Sequence, residues 1–201
     1  MFRIIGKIPK NITIACSGGV DSMVVTNFLL NSRRKIKLAF FNHDTQNSKK
    51  AQNFVENFAQ NRKLDLTIGR VSGNKGRRSL EEFWRDERYR FFGRLDSDFI
   101  ITCHHLDDCV ETWVMSAMHG KPKLIPYQRG NVFRPFLTTS KSEILRFANK
   151  KNIEYSEDLS NKDTTFTRNY VRHTMMPHVL RVNPGIRTTM RKKMLELYFK
   201  K

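Results

Sequence analysis

The sequence predicts an α/β fold: a parallel five-stranded sheet with helices on both faces, followed by a small helical C-terminal extension. Three observations point there. Short apolar, β-branched runs alternate four times with segments of helical period before Gly120, the pattern of a sheet built by βα crossovers. The first strand passes into a helix through a tight glycine turn, Ser17-Gly18-Gly19. Chemically dense stretches follow the first, second and fourth strands, and so share the carboxyl edge where Rossmann-like sheets hold their ligands.

The elements follow in order. Ile12 to Cys16 is a short buried strand, and Asp21 to Ser32 is a helix with Val24, Val25, Phe28 and Leu29 on its apolar face. Ile36 to Phe41 is a second strand, apolar enough for the sheet interior, ending in Asn42-His43-Asp44. Ser48 to Arg62 repeats Ala51, Phe54, Val55, Phe58 and Ala59 at helical spacing, and Leu64 to Ile68 alternates as a third strand. Val71 to Ser79, rich in glycine and basic residues, reads as a mobile loop. Ser79 then caps a helix to Arg94, with Glu82 placed for a capping box. Asp98 to Cys103 is the fourth strand, and a loop at His104 leads into a helix ending near His119.

Beyond Gly120 the rhythm changes. Pro122 and Pro126 break structure, and Val132 to Phe136 is a short edge strand, since Pro135 bars a central place. Ser140 caps a helix to Lys151, and Ile153 to Thr167 is irregular and polar. Arg168 to Arg181 is helical, and Thr188 to Lys201 is a basic amphipathic helix. These limits divide the chain into a nucleotide-binding core at 1–137, its continuation at 138–186, and a basic tail at 187–201.

With 201 residues and 15 Phe, the chain can bury a real core. No apolar run approaches a membrane span, and the N-terminus lacks the apolar stretch of a signal peptide, so a cytoplasmic location is expected. Cys16, Cys103 and Cys109 lack close C-x-x-C pairing and read as reduced thiols. The net charge of +18, spread along the chain, calls for a polyanionic partner, nucleic acid above all.

The turn after the first strand carries the clearest chemistry. Gly18 and Gly19 let the backbone turn sharply and leave no side chain in a ligand's way. The helix start beyond them offers free N–H groups and the positive end of its dipole, a cradle for phosphate. Ser17 and Ser22 add hydroxyls, and Asp21 sets a carboxylate beside an anion site, which a bridging Mg²⁺ would make favourable. No lysine follows the glycines as in G-x-x-x-x-G-K-[ST], and no G-x-G-x-x-G is present.

After the fourth strand, His104-His105-Leu106-Asp107-Asp108 with Glu111 gathers imidazoles and carboxylates at a helix start. Capping alone accounts for acids there. An acidic site for Mg²⁺ or an ammonium group is the sharper reading, because Asp107 and Glu111 share a helix face. Zinc would require further Cys or His ligands nearby, and none stand there. On the preceding helix Arg85 and Arg88 are spaced to point toward a cleft, although ion pairing along the helix would also explain them.

Ser17-Gly18-Gly19-Val20-Asp21-Ser22 resembles the pyrophosphate loop of the ATP-pyrophosphatase superfamily, whose fold is of the adenine nucleotide alpha hydrolase kind. Four further stretches follow in order: Ser79-Leu80-Glu81 with Arg85 and Arg88-Tyr89; His104 to Asp108 with Glu111-Thr112; Arg134 to Leu137; and Glu157 to Asn161 with Arg168-Asn169 and Arg172. Together they resemble the catalytic domain of the tRNA(Ile)-lysidine synthetase family, over about residues 11 to 181. The resemblance implies a ligase. ATP would adenylate C2 of the first anticodon cytidine of a CAU-anticodon tRNA(Ile), and free L-lysine would then displace AMP.

It also implies roles. Ser17 to Ser22 would bind ATP pyrophosphate, with Asp21 on Mg²⁺. Asn42, His43, His104 and His105 would lie by the nucleotide. Asp21, Asp107, Asp108, Glu111, Arg85 and Arg88 would be catalytic, and Asp158, Ser160, Asn161, Arg168, Asn169 and Arg172 would bind the substrate or its adenylated intermediate. The chain departs from the family at Asp44 to Lys50, at His119-Gly120, and in its tail, where Arg187, Arg191, Lys192, Lys193, Lys200 and Lys201 stand in place of longer C-terminal domains. That implies a compact form without an evident protein partner, its oligomeric state open. Competing readings are a tRNA thiolation enzyme of the same superfamily and a non-catalytic RNA-binding relative.

Overall fold

The computed structural model describes residues 2–157 and 163–199. Asp158, Ser160 and Asn161, expected to bind the substrate, and Lys200 and Lys201 of the basic tail lie outside the described residues.

The first half is a βα succession: β1 (Asn11–Ala15), α1 (Val20–Leu30), β2 (Lys35–Asn42), α2 (Gln46–Asn61), β3 (Asp65–Arg70), α3 (Leu80–Arg94), β4 (Ile100–Ile101) and α4 (Leu106–Met118). A hairpin follows, β5 (Gln128–Arg129) and β6 (Val132–Phe133), then α5 (Lys141–Lys151), α6 (Thr167–Tyr170), α7 (Met176–Val182) and α8 (Ile186–Phe199). The sheet has six strands in the order β3-β2-β1-β4-β6-β5. All pair in parallel except β5 with β6.

The expected five-stranded, all-parallel sheet is thus corrected to six strands with one antiparallel pair. Gly130, at φ +59°, and Asn131 make the two-residue turn between β5 and β6, a combination that closes a hairpin without strain. Two-residue strands carry no alternation to read, which is why β5 is silent in the sequence. β4 is likewise shorter than the apolar run around it.

The central strands are buried on both faces. Ile12 and Ile14 of β1, Leu38 and Phe40 of β2, Val25 and Leu29 of α1 and Val55 of α2 form the main core with Phe136. A second cluster joins Leu106, Val110 and Val114 of α4 to Val171, Met176, Ile186 and Met190. The basic tail is therefore a helix with a buried apolar stripe, and it holds α4 from the C-terminal side.

Between α6 and α7, residues Val171–Met175 form a π-helical turn. Pro177 follows near the start of α7. Proline has no N–H for the preceding turn and its ring crowds the carbonyl there, so the expected single helix from Arg168 widens at this point. The 71–79 loop is also more tethered than its composition suggests. The N–H groups of Ser72 and Gly73 each donate to Glu87 Oε2 at 3.2 Å.

Candidate active site

An inner pocket opens at the carboxyl ends of β1, β2 and β4 and encloses about 300 Å³. Its floor is apolar, from Ala15, Ala39, Phe41 and Phe92, and its rim carries Ser17, Asp21, His104, Asp108 and Arg88.

The turn after β1 has the geometry of an anion cradle. Gly18 sits at φ +81°, and a Cβ there would meet Val55 Cγ2 at 3.3 Å and Ala51 O at 3.4 Å. Only glycine fits both the left-handed backbone and the close approach of α2. Gly19 caps α1 without a side-chain hydrogen bond, leaving the first turn open toward the pocket. Ser22 Oγ donates to Gly19 O at 2.9 Å and accepts from Ser17 Oγ at 3.3 Å, which ties the turn to the helix. Val20 opens α1 and packs in the cluster of Phe2 and Val24.

Asp21 stands at the mouth with a third of its side chain exposed, and Lys141 Nζ lies 2.5 Å from its Oδ1. His105 Nε2 is 3.7 Å from the same oxygen. Across the pocket, His105 and Asp108 close a capping box on α4: His105 N donates to Asp108 Oδ2 at 2.9 Å and Asp108 N to His105 Nδ1 at 3.3 Å. Asp108 is both a capping acid and a member of a charged cluster, since Arg168 and Arg172 reach its Oδ1 at 3.0 and 3.1 Å. Arg172 also grips Glu111 through two bonds of 2.8 Å. Asp107 takes Arg187 Nε at 2.8 Å and the backbone N–H of Lys141 at 2.7 Å.

Burial by itself would raise the Asp108 carboxyl. The neighbouring His105 imidazole, the Arg168 guanidinium and the His105 N–H outweigh it and hold the group far below the usual carboxylate range. Burial pushes His104 down to about 3, so it is neutral at pH 7, with Nδ1 3.0 Å from Thr102 Oγ1. Arg88 is partly buried at the inner pocket, where burial lowers its basicity, and no carboxylate pairs with it among the described residues. A desolvated, unanswered guanidinium invites an anion.

The pocket widens into an outer cleft lined by Glu81, Glu82, Trp84, Arg85, Phe166 and Asn169, with His43, Arg88 and Arg168 common to both. Asn42 is set apart from both. Its amide donates to Gln52 Oε1 at 2.6 Å and its Oδ1 accepts from Asp44 N at 2.7 Å, so it shapes the turn that presents His43.

Residues 4–179 match the PP-loop domain. The chain belongs to the PP-loop family. Among similar PP-loop proteins are a tRNA(Ile)-lysidine synthase of Persephonella marina, 36% identical over 87% of this chain and 42% of that protein, and one of Lactiplantibacillus plantarum, 28% identical over 88% and 44%. The chain thus spans less than half the length of these relatives. A U34-tRNA thiolase of Methanococcus maripaludis shares the fold, with a TM-score of 0.70 at 16% identity, covering 98% of this chain and 73% of that one. PP-loop proteins of this kind use ATP, and the open turn at Gly18 and Gly19 suits its phosphates.

Among the described residues, no group of three or more His, Cys, Asp or Glu side chains is arranged to hold a metal. Mg²⁺ prefers one or two carboxylates with phosphate oxygens and waters. Asp21, part-exposed beside the PP-loop turn, fits that mode. Asp107, Asp108 and Glu111 instead face arginines in this structure. The three cysteines are free, and burial raises the Cys16, Cys103 and Cys109 thiols, Cys103 well above its ordinary value. No helix among the described residues is long and apolar enough to cross a membrane.

Lys141 escapes a reading of the sequence, yet it bridges the PP-loop acid to α4. One signal for it exists. A lysine in the first turn of a helix opposes the helix dipole, and such a residue asks for an anion nearby.

Proposed function

We propose that this chain ligates L-lysine to C2 of the first anticodon cytidine of a CAU-anticodon tRNA(Ile), through an adenylated tRNA, with release of pyrophosphate and AMP. The observation that carries this reading is one pocket with two unlike walls: an open PP-loop turn on one side and a carboxylate–arginine cluster on the other. The relatives named tRNA(Ile)-lysidine synthase support it, and so does the charge of +18.

In this reading the apolar floor takes the adenosine, with His43 and His104 beside it. The Gly18-Gly19 turn and the first amides of α1 receive the β- and γ-phosphates. Mg²⁺, held by Asp21, would add positive charge to those phosphates. Arg88 and Lys141 offset the charge that gathers as the cytidine O2 attacks the α-phosphorus and pyrophosphate departs. The lysine amine then attacks C2, gives up its proton, and AMP leaves with the former cytidine oxygen. Arg168 and Arg172, braced by Asp108 and Glu111, line the pocket where the anionic intermediate would lie. Raised thiols at Cys103 and Cys109 disfavour a thiolation route, which relies on thiolates.

The test is incubation with CAU-anticodon tRNA(Ile), ATP-Mg²⁺ and labelled lysine. Lysine label in the tRNA, stoichiometric with AMP, is the expected result. Sulfur incorporation from a sulfide donor, or tight tRNA binding without AMP release, would each replace this reading.

A further inference from the structure

The outer cleft is lined in a way that ATP alone does not explain. Trp84 and Phe166 line it, each only partly buried, together with His43. The Trp84 and His43 rings lie 5.0 Å apart at an interplanar angle of 49°. His43 meets the Phe41 ring edge-on at 5.1 Å, so an aromatic wall runs from the end of β2 to the cleft mouth. Phe166 joins the lining from the cap of the helical turn that bears Arg168. Around these rings stand Arg85, Arg88 and Arg168.

The cleft encloses about 640 Å³ and shares His43, Arg88 and Arg168 with the inner pocket. A nucleotide filling the inner pocket leaves this volume open, and whatever occupies it lies beside that nucleotide. Aromatic faces rimmed by guanidinium groups are the chemistry of single-stranded nucleic acid recognition, where bases stack on rings and phosphates meet cations. A base inside a duplex could not reach the pocket, so an enzyme acting on a base must first draw it out of its stack.

We infer that Trp84, with Phe166 and His43, forms a stacking slot for one unpaired nucleobase of the substrate RNA, an occupant that rests on the RNA-modifying reading above. Trp84 is then a positioning residue. It holds the extruded base against the nucleotide without taking part in bond making. Arg85 meets a flanking phosphate.

Trp84 and Trp113 are the chain's 2 tryptophans, so Trp113→Phe makes Trp84 the sole reporter. This protein is titrated with three probes: a CAU anticodon stem-loop, the same RNA with an abasic first anticodon position, and ATP-Mg²⁺ alone. The intact stem-loop should quench Trp84 emission, while the abasic RNA binds with little quenching and ATP alone changes nothing. Trp84→Ala should weaken stem-loop binding by about 5- to 150-fold, the range expected for loss of one base stack. Trp84→Phe should restore most of it, which separates stacking from a folding defect. Equal quenching by ATP alone would assign the slot to adenine, and equal quenching by the abasic RNA would remove the base from it. RNA affinity indifferent to Trp84→Ala would also overturn the slot. Lysine incorporation is scored separately. A chain that stacks RNA without ligating lysine keeps the slot and loses the ligase reading, and one that ligates lysine without quenching does the reverse. Absence of RNA binding would overturn both.

Discussion

Lys141 joins the two walls of the site: its Nζ lies 2.5 Å from Asp21 Oδ1, and its backbone N–H donates to Asp107 Oδ2 at 2.7 Å. The pair is a third exposed on each side, so solvent screens it and its share of stability is small. Lys141→Met should cost under about 1 kcal/mol in urea unfolding but slow AMP release by about 10²-fold, the scale for removing one charge-stabilising donor. An unchanged rate would take Lys141 out of the reaction.

Asp21 is the acid closest to the open turn. Asp21→Ala should abolish AMP formation, measured by thin-layer separation of labelled nucleotide, and leave tRNA affinity close to that of the unaltered protein. Retained turnover would remove its assigned role on Mg²⁺.

The Arg172–Glu111 pair is of another kind, because Glu111 is buried, with 5% of its side chain exposed. Arg172→Ala removes both hydrogen bonds from this buried carboxylate but leaves Arg168 Nε 3.6 Å from it, and should destabilise the fold by about 1–3 kcal/mol. Adding Glu111→Ala should recover part of that loss. Urea titrations of the two single variants and the double variant measure the coupling, and simple additivity would contradict it.

An unfolded histidine takes its proton near pH 6.5, whereas burial keeps His104 neutral down to about 3. Between those values the unfolded chain binds the extra proton, so stability is fully present above about 6.5 and falls as the pH falls through the window. Asp108 acts lower. Its depressed carboxyl contributes stability that is complete above the ordinary 3.8 and is lost as pH drops below it through the folded value. His104→Gln should flatten the slope between about 6.5 and 3 without removing the acid limb below it, as read by urea unfolding at a series of pH values.

With a charge of +18, tRNA binding should weaken steeply with salt. Arg85 is exposed at the outer cleft, and Arg85→Ala should reduce the slope of log K against log salt by about 1. A flat salt response in filter binding would contradict a phosphate-driven interface.

Local signals in the sequence settle much of the molecule. The alternation of apolar strand runs with helical periods determined the βα succession, and Gly18-Gly19 determined the tight turn into α1, because each depends on neighbours a few residues away. Ser140 with Glu143 likewise closes the capping box its spacing announces. The ordered motifs carried the resemblance from which the proposed chemistry follows. Tertiary structure decided the rest. It showed Asn42 bracing the turn before His43 instead of lining the pocket, and it turned Asp107, Asp108 and Glu111 toward Arg187, Arg168 and Arg172. It paired Lys141 with Asp21 across 120 residues and Arg172 with Glu111 across 61. It also added the short antiparallel β5. The physical reason is range: a helix period or a glycine turn is enforced by adjacent backbone, whereas an ion pair or a two-residue strand exists only once the sheet brings distant segments to one edge.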